Sequence, residues 1–214
     1  MKIKCRIIGF DLDGTLLNSE KHIAEHTREV LIRAVEQGIW ILPVTGRPLG
    51  GLPKEVVEFP GVQYAITANG ARIMETQTGG CLYERLVPVK TAEQIMEIFS
   101  DYDALREVYY GGKGYAEAEE FSRVGEYMRS LQMAAYVRAT RTPVPDILQL
   151  IREKGQDTDK VQGVFKIDEE RTEARKRLEA VEGIEVTGAL SNNIEVNAAG
   201  VDKGNAILWF ADHL

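Results

Sequence analysis

The stretch Ile7-Ile8-Gly9-Phe10-Asp11-Leu12-Asp13-Gly14-Thr15-Leu16 decides the fold. Its first four residues are apolar and typical of a buried strand, and two carboxylates follow one residue apart. Because side chains alternate along an extended chain, Asp11 and Asp13 are expected on the same side. Like charges this close repel each other unless a cation or a shared proton lies between them. Gly14 permits a sharp turn, so the stretch predicts a site that binds a metal and attacks a phosphate.

Two simpler interpretations of the same residues explain them less well. An Asp-Gly turn explains Asp13 and Gly14 but leaves Asp11 without a role. A calcium loop requires glycine at its sixth position and glutamate at its twelfth. Counted from Asp11, those positions hold Leu16 and His22, so the calcium interpretation is excluded.

A second apolar run opens into polar residues at Ile41-Leu42-Pro43-Val44-Thr45-Gly46-Arg47. Residues 24–37 have apolar side chains at helical spacing and predict a helix between the two strands. Strand, helix and strand form a parallel crossover unit, and ligands of such sheets bind beyond the carboxyl ends of the strands. Asp11 and Thr45 are therefore predicted at the same edge. Taken alone, Thr45 is better explained as a helix cap, and Arg47 either touches a substrate or anchors its loop.

Four motifs in order resemble the haloacid dehalogenase superfamily, and within it the Cof-type phosphatases. The first two are the stretches above, the third is Tyr64–Ala71 with its Asn-Gly turn, and the fourth is Asn193–Ala206 with Lys203 before a glycine. The resemblance implies an α/β fold, a Rossmann-like parallel sheet core with an inserted α/β cap domain. We expect the core at residues 1–71 and 190–214 and the cap at residues 72–189.

The resemblance also assigns roles to residues of the motifs. It implies that the catalytic residues are Asp11, Asp13 and Lys203. It also implies that the substrate-binding residues are Thr45, Gly46 and Arg47. Mg²⁺ is the implied cofactor, bound by the Asp11 carboxylate and the backbone carbonyl of Asp13. A lysine at a helix start is unfavourable for the helix dipole, which is a mild reason to look for a function of Lys203 rather than treat it as a surface residue.

Patterning within residues 72–214 predicts further elements. We expect a hairpin of 72–75 with 81–84, helices at 91–100, 145–153, 169–181 and 203–213, and strands at 161–167 and 184–186. The glycines and tyrosines of 109–115 either face a substrate or form an ordinary hairpin, and the hairpin is favoured. Lys160 and Lys166 are predicted to lie on the surface.

The family's last motif, an acidic loop of the Gly-Asp-x-x-x-Asp type, is absent, since the sequence ends at Leu214, within the predicted final helix. C-terminal strands of the core are thus expected to be missing, which would leave Ile7–Phe10 as an apolar edge strand. Three explanations stay open: a fragment of a longer protein, a naturally shortened and weakened member, or a second chain that covers the edge.

Composition restricts the partners. The 214 residues are 44% hydrophobic and have a formal net charge of −7, which argues against a nucleic-acid surface. No apolar run approaches the roughly 18 residues that span a membrane. Because only residues 1–4 precede the first predicted strand, we expect no signal peptide in this sequence. Cys5 and Cys81 are far apart and are expected to be reduced thiols in a cytoplasmic protein. No feature indicates an oligomeric state.

These observations predict a magnesium-dependent phosphatase that hydrolyses a small phosphorylated metabolite, with a sugar phosphate as the first choice, through an aspartyl-phosphate. The alternative is a shortened, catalytically weak or inactive member that binds phosphorylated ligands or a partner chain. A phosphotransferase is a third possibility, because an aspartyl-phosphate can also be transferred to an alcohol.

Overall fold

The computed structural model describes residues 5–214 and divides into two compact units. The first unit comprises the chain up to Glu84 together with Asp202–Leu214, and the second unit is Arg85–Val201. The boundaries fall later in the chain than the predicted 71/72 and 189/190. The prediction that no signal peptide precedes the first strand concerns residues 1–4, which lie outside the described residues.

The first unit holds a parallel strand pair extended by a hairpin. Its strands and helices are β1 (Ile7–Phe10), α1 (Glu25–Glu36), β2 (Trp40–Pro43), α2 (Lys54–Val57), β3 (Tyr64–Thr67), β4 (Arg72–Glu75), β5 (Cys81–Glu84) and α9 (Lys203–Asp212). β1 and β2 run parallel, and an isolated parallel bridge between Val44 and Ile66 joins the end of β2 to β3. β3, β4 and β5 are antiparallel, which explains why the hairpin belongs to this unit. Within residues 5–214, β1 pairs with β2 alone.

Helices cover both faces of these strands. Ile41 of β2 belongs to a buried cluster that includes Leu31 of α1, whereas the next residue, Leu42, belongs to a cluster with Phe210 of α9. All four side chains are at most 7% exposed. Burial on both faces explains why the second motif begins with a continuous apolar run rather than with an alternating one. The expectation that Ile7–Phe10 is a buried strand is not met, because Ile7, Ile8 and Phe10 are only partly buried and Gly9 is exposed. The predicted α/β fold is confirmed.

The second unit is a six-stranded sheet with helices. Its elements are α3 (Val89–Ser100), β6 (Ala104–Tyr110), β7 (Lys113–Glu117), α4 (Ala118–Ser122), α5 (Val124–Tyr127), α6 (Leu131–Thr140), β8 (Arg141–Val144), α7 (Ile147–Lys154), β9 (Lys160–Phe165), α8 (Asp168–Leu178), β10 (Ile184–Thr187) and β11 (Asn193–Ala198). The strand order is β10-β11-β9-β6-β7-β8, antiparallel except for β7 with β8. β6 and β7 form the predicted hairpin, with Gly111 and Gly112 at positive φ in its turn. β11 lies within residues 190–214, which were predicted to belong to the core, but it pairs with β9 and β10 in the sheet of the second unit.

The prediction that Lys160 lies on the surface is wrong. Lys160 is 2% exposed, and its Nζ donates a hydrogen bond of 3.0 Å to Oε2 of Glu195 on the neighbouring strand β11. Its ammonium group also lies 4.7 Å from the centroid of the Tyr109 ring. A buried lysine is retained where an acidic partner compensates its charge, and that partner is distant in sequence.

No helix in the part of the chain described, from residue 5 onward, combines the length and apolar character needed to cross a membrane.

Candidate active site

The carboxyl ends of β1 and β2 meet at one edge of the first unit. Phe10 and Pro43, the last residues of the two strands, are register partners, and the Val44 amide donates a hydrogen bond of 2.9 Å to the Phe10 carbonyl. Asp11 and Thr45 therefore leave adjacent parallel strands at the same edge, as predicted.

Asp11 is held by one backbone amide and one lysine. Its Oδ1 accepts a hydrogen bond of 2.8 Å from the Leu12 amide, and its Oδ2 accepts one of 2.8 Å from Lys203 Nζ. Lys203 is the first residue of α9, whose N-cap residue Asp202 accepts a hydrogen bond from the Asn205 amide. The carboxylate of Asp11 offsets the unfavourable placement of a lysine at a helix N-terminus. The fold thus joins two predicted residues that are 192 positions apart.

Asp13 is bound by two cationic side chains. Arg47 donates from Nε to Oδ2 at 2.9 Å and from Nη2 to Oδ1 at 2.7 Å, and Lys21 Nζ donates to Oδ1 at 2.8 Å. Partial burial raises the pKa of the Asp13 carboxyl, but the hydrogen bonds from Arg47 and Lys21 outweigh that effect and lower it overall. Asp13 is therefore a carboxylate in this state.

Arg47 anchors its loop, which is one of the two functions between which the sequence left a choice. Besides its two hydrogen bonds to Asp13, its Nη1 donates a hydrogen bond of 3.0 Å to the carbonyl oxygen of Gly51, four residues later. It therefore anchors its own loop and also contacts a predicted catalytic residue. A bidentate arginine fixes the plane of a carboxylate more strongly than a single point charge does.

Thr45 is 2% exposed and is bound into the loop that follows β2. Its Oγ1 accepts a hydrogen bond of 3.2 Å from the Arg47 amide, which is the cap-like role considered above, and its own amide donates to the Ile66 carbonyl at 2.9 Å. Gly46 lies in the turn between the two. The threonine hydroxyl still has a proton to donate, so a turn-stabilising role and an anion-binding role are compatible.

A left-handed segment follows β3 and joins the site loops. Ala68, Asn69 and Gly70 all have positive φ, of 48°, 64° and 111°. The Ala68 amide donates to the Arg47 carbonyl and the Asn69 amide to the Thr45 carbonyl, both at 3.0 Å. Non-glycine residues in this conformation are strained and cluster at functional sites.

Gly70 sets the position of the N-terminus of α9. A Cβ atom at residue 70 would lie 2.8 Å from the carbonyl carbon of Asp202 and closer still to its oxygen. Backbone atoms cannot move aside as a flexible side chain can, so a side chain here would displace the start of the helix that holds Lys203.

We therefore expect Gly70→Ala to lower the free energy of unfolding by about 2 kcal/mol and to reduce activity through Lys203. The matched control is Gly79→Ala, because Gly79 has a positive φ of 72° but no neighbour within 4 Å of an added Cβ. Denaturant unfolding of both variants separates the cost of the clash from the cost of the backbone conformation. Equal destabilisation of the two would contradict the role of the Asp202 contact.

Lys21 is the site residue that the sequence interpretation missed. Its only local signal is the turn around it, in which Asn18 Oδ1 accepts hydrogen bonds from the amides of Glu20 and His22 at 2.9 and 3.0 Å. Asparagine commonly forms such turns, but a turn does not indicate which side chain it directs toward Asp13.

The oxygen atoms near Asp11 fit a hard divalent cation that keeps most of its water. The Asp11 side chain is 42% exposed, and each of its oxygens accepts one of the hydrogen bonds described above, which leaves lone-pair capacity. Carboxylate and carbonyl oxygens are the ligands that Mg²⁺ prefers, usually with several waters. Residues 5–214 contain no cluster of three or more histidine, cysteine or acidic side chains that could hold a metal.

Comparisons with known proteins give one consistent result. The profile of the haloacid dehalogenase-like hydrolases matches residues 8–214. A 5-amino-6-(5-phospho-D-ribitylamino)uracil phosphatase of Bacillus subtilis is 25% identical over 212 residues, which cover 99% of this chain and 73% of the relative. The crystal structure of a haloacid dehalogenase-like hydrolase from Bacteroides thetaiotaomicron superimposes with a TM-score of 0.78 at 25% identity, and the match covers 98% of this chain and 77% of that one.

Matches of higher identity are shorter. A putative phosphatase of Bacillus subtilis is 32% identical over 107 residues, which are 49% of this chain and 35% of the relative. The chain therefore matches only about a third of that relative's length.

Proposed function

Because this chain belongs to the haloacid dehalogenase-like hydrolases, we propose that it is a magnesium-dependent phosphatase of small phosphorylated metabolites. The observation that most supports the proposal is the pairing of Asp11 with Lys203 beside Asp13, at the edge where parallel strands bind ligands. A nucleophilic carboxylate, a second carboxylate and a compensating cation are the groups that a two-step phosphate transfer requires.

In the first step, Asp11 attacks phosphorus and forms an aspartyl-phosphate while the bond to the leaving oxygen breaks. Asp13 enters this step carrying the proton that it took from water in the preceding turnover and gives it to that oxygen, so that an alcohol leaves rather than an alkoxide. In the second step, Asp13 takes a proton from water, which attacks the aspartyl-phosphate and releases inorganic phosphate. The charged state of Asp13 described above is the form that accepts this proton.

The remaining site residues stabilise charge in this proposal. Thr45 and the Gly46 amide bind phosphoryl oxygens, Arg47 orients Asp13, and Lys203 offsets the negative charge shared by Asp11 and the phosphate. Mg²⁺, held by the Asp11 carboxylate and the Asp13 carbonyl, would lower the repulsion between the nucleophile and the phosphate when bound.

A second candidate function is supported by the charge balance. Three cations, Lys21, Arg47 and Lys203, contact the carboxylates of Asp11 and Asp13. A net positive site attracts a phosphate group even without a metal ion, so a protein that binds phosphorylated ligands without efficient turnover is the alternative.

The substrate class rests on one relative's name. The Bacillus subtilis relative that is 25% identical is a phosphatase of a compound with a phosphorylated ribityl chain. We therefore propose a phosphate ester of a sugar or sugar alcohol as the first substrate class to test.

Phosphate release from a panel of sugar, sugar-alcohol and nucleotide monophosphates, with Mg²⁺ varied and with EDTA, tests the proposal. We expect release that saturates with Mg²⁺ and is lost in EDTA, because the metal offsets repulsion at Asp11. Binding of inorganic phosphate measured by calorimetry on the same samples is the second readout. Binding without release at any Mg²⁺ concentration would support the binding protein instead.

A further inference from the structure

Lys21 lies in a turn whose backbone is unusual and whose two ends are fixed. Its φ is 65°, a left-handed conformation that lysine seldom adopts. The turn begins after Leu17 and ends before Ile23, which form an antiparallel bridge and are both buried. Between them, Asn18 closes the turn, since its carbonyl oxygen accepts a hydrogen bond of 3.0 Å from the Lys21 amide.

A second contact fixes the turn from the outside. Glu55 Oε2 lies 3.2 Å from Nδ1 of His22 and accepts a hydrogen bond from the Ile23 amide. Arg28 also binds the Glu55 carboxylate. An ordinary exposed ion pair contributes little and requires no such framework, so the arrangement favours a defined position for the Lys21 side chain.

The donors on Asp13 are distributed unevenly between its oxygens. Oδ1 accepts from both Arg47 Nη2 and Lys21 Nζ, at 2.7 and 2.8 Å, whereas Oδ2 accepts from Arg47 Nε at 2.9 Å. A carboxylate oxygen accommodates about two hydrogen bonds. Among the residues that the structure describes, Oδ2 therefore has capacity for one more partner, and Oδ1 has none.

We propose that Lys21 is a positioning residue for Asp13, which occupies Oδ1 so that Oδ2 is the oxygen presented to the leaving group. This inference rests on the proposed phosphatase function. Arg47 alone fixes the carboxylate plane, but the two oxygens of a carboxylate are chemically alike, and Lys21 makes them different.

The test measures two substrates that differ in their leaving group. Each is assayed with three proteins, which are the wild type, Lys21→Met and Lys21→Arg. An alkyl phosphate from the panel needs a proton on its leaving oxygen, whereas p-nitrophenyl phosphate expels a stable phenolate that needs little help. We expect Lys21→Met to lower kcat for the alkyl ester about tenfold, to change kcat for the aryl ester less than about twofold, and to leave KM nearly unchanged. Lys21→Arg is expected to restore most of the loss.

Two further variants make the result specific. Asn18→Ala loosens the turn but keeps the lysine, and we expect the same selective loss for the alkyl ester. Lys54→Met removes an exposed lysine of the first unit whose ion-pair partner is Glu58, and it should behave as the wild type. Equal losses for both esters, a change in KM alone, or no change would overturn the role of Lys21. A wild type that hydrolyses neither ester would instead refute the proposed function.

Discussion

Asp11→Asn is expected to abolish phosphate release, with kcat at least about 10⁴-fold below the wild type. The substitution keeps the size of the side chain and the oxygen that accepts from the Leu12 amide, but a neutral amide is a poor nucleophile toward phosphorus. The pair with Lys203 is lost as well, and since both side chains are about 40% exposed, the free energy of unfolding should fall by less than about 1 kcal/mol. Steady-state kinetics and denaturant unfolding on the same preparation check both expectations.

A matched variant and a direct assay of the intermediate strengthen this experiment. Asp212→Asn makes the same chemical change at an exposed residue of α9 and should retain full activity. Rapid quenching with a substrate labelled in its phosphate group should show a protein-bound label that hydroxylamine removes, in the wild type but not in Asp11→Asn. Turnover by Asp11→Asn within tenfold of the wild type would mean that another residue is the nucleophile.

The local pattern of the sequence was sufficient for most of the first unit. The strand β1 and the hairpin of β4 and β5 have the predicted bounds, because apolar runs and turn residues mark where strands begin and end. The resemblance to the family was confirmed by the profile match. The resemblance placed Asp11 and Lys203 in one catalytic group, and the structure brings Lys203 Nζ to 2.8 Å from Asp11 Oδ2, while the roles of the two residues stay proposals.

Residues 118–144 had no predicted elements, and the structure shows why. Leu131 at the start of α6 is 90% exposed, so this helix lacks a clear apolar stripe. β8 contains Pro143, which usually argues against a strand, but β8 is the outermost strand of its sheet, where proline is tolerated. α6 therefore lacks the apolar stripe by which a helix is identified from sequence, and β8 contains the residue that usually excludes a strand.

Contacts between distant residues were the other limit. Lysine is usually a surface residue, and only the structure shows that Glu195 lies beside Lys160. In the same way, only the structure shows that Lys21 contacts Asp13. Periodicity reports which face of an element is buried, but it does not report which charged groups meet there. The missed residues therefore belong to the electrostatics of the protein rather than to its architecture.

Lys203 provides the second large expected effect, and the geometry explains why it should be catalytic rather than structural. Its ammonium group contacts Asp11 Oδ2 at 2.8 Å, but the Lys203 side chain is 39% exposed, so the pair adds little to stability. In the proposed reaction, negative charge accumulates on Asp11 and the phosphoryl oxygens, and a fixed cation there lowers the barrier.

We expect Lys203→Met to lower kcat about 10²- to 10³-fold with a change in unfolding free energy below about 1 kcal/mol. Lys203→Arg should recover activity only in part, because a planar guanidinium does not replace a compact ammonium at one oxygen. In the double variant with Asp11→Asn, the two losses should not add, since a cation that acts on the nucleophile has no effect once the nucleophile is gone. Full additivity of the two losses would show that Lys203 acts independently of Asp11.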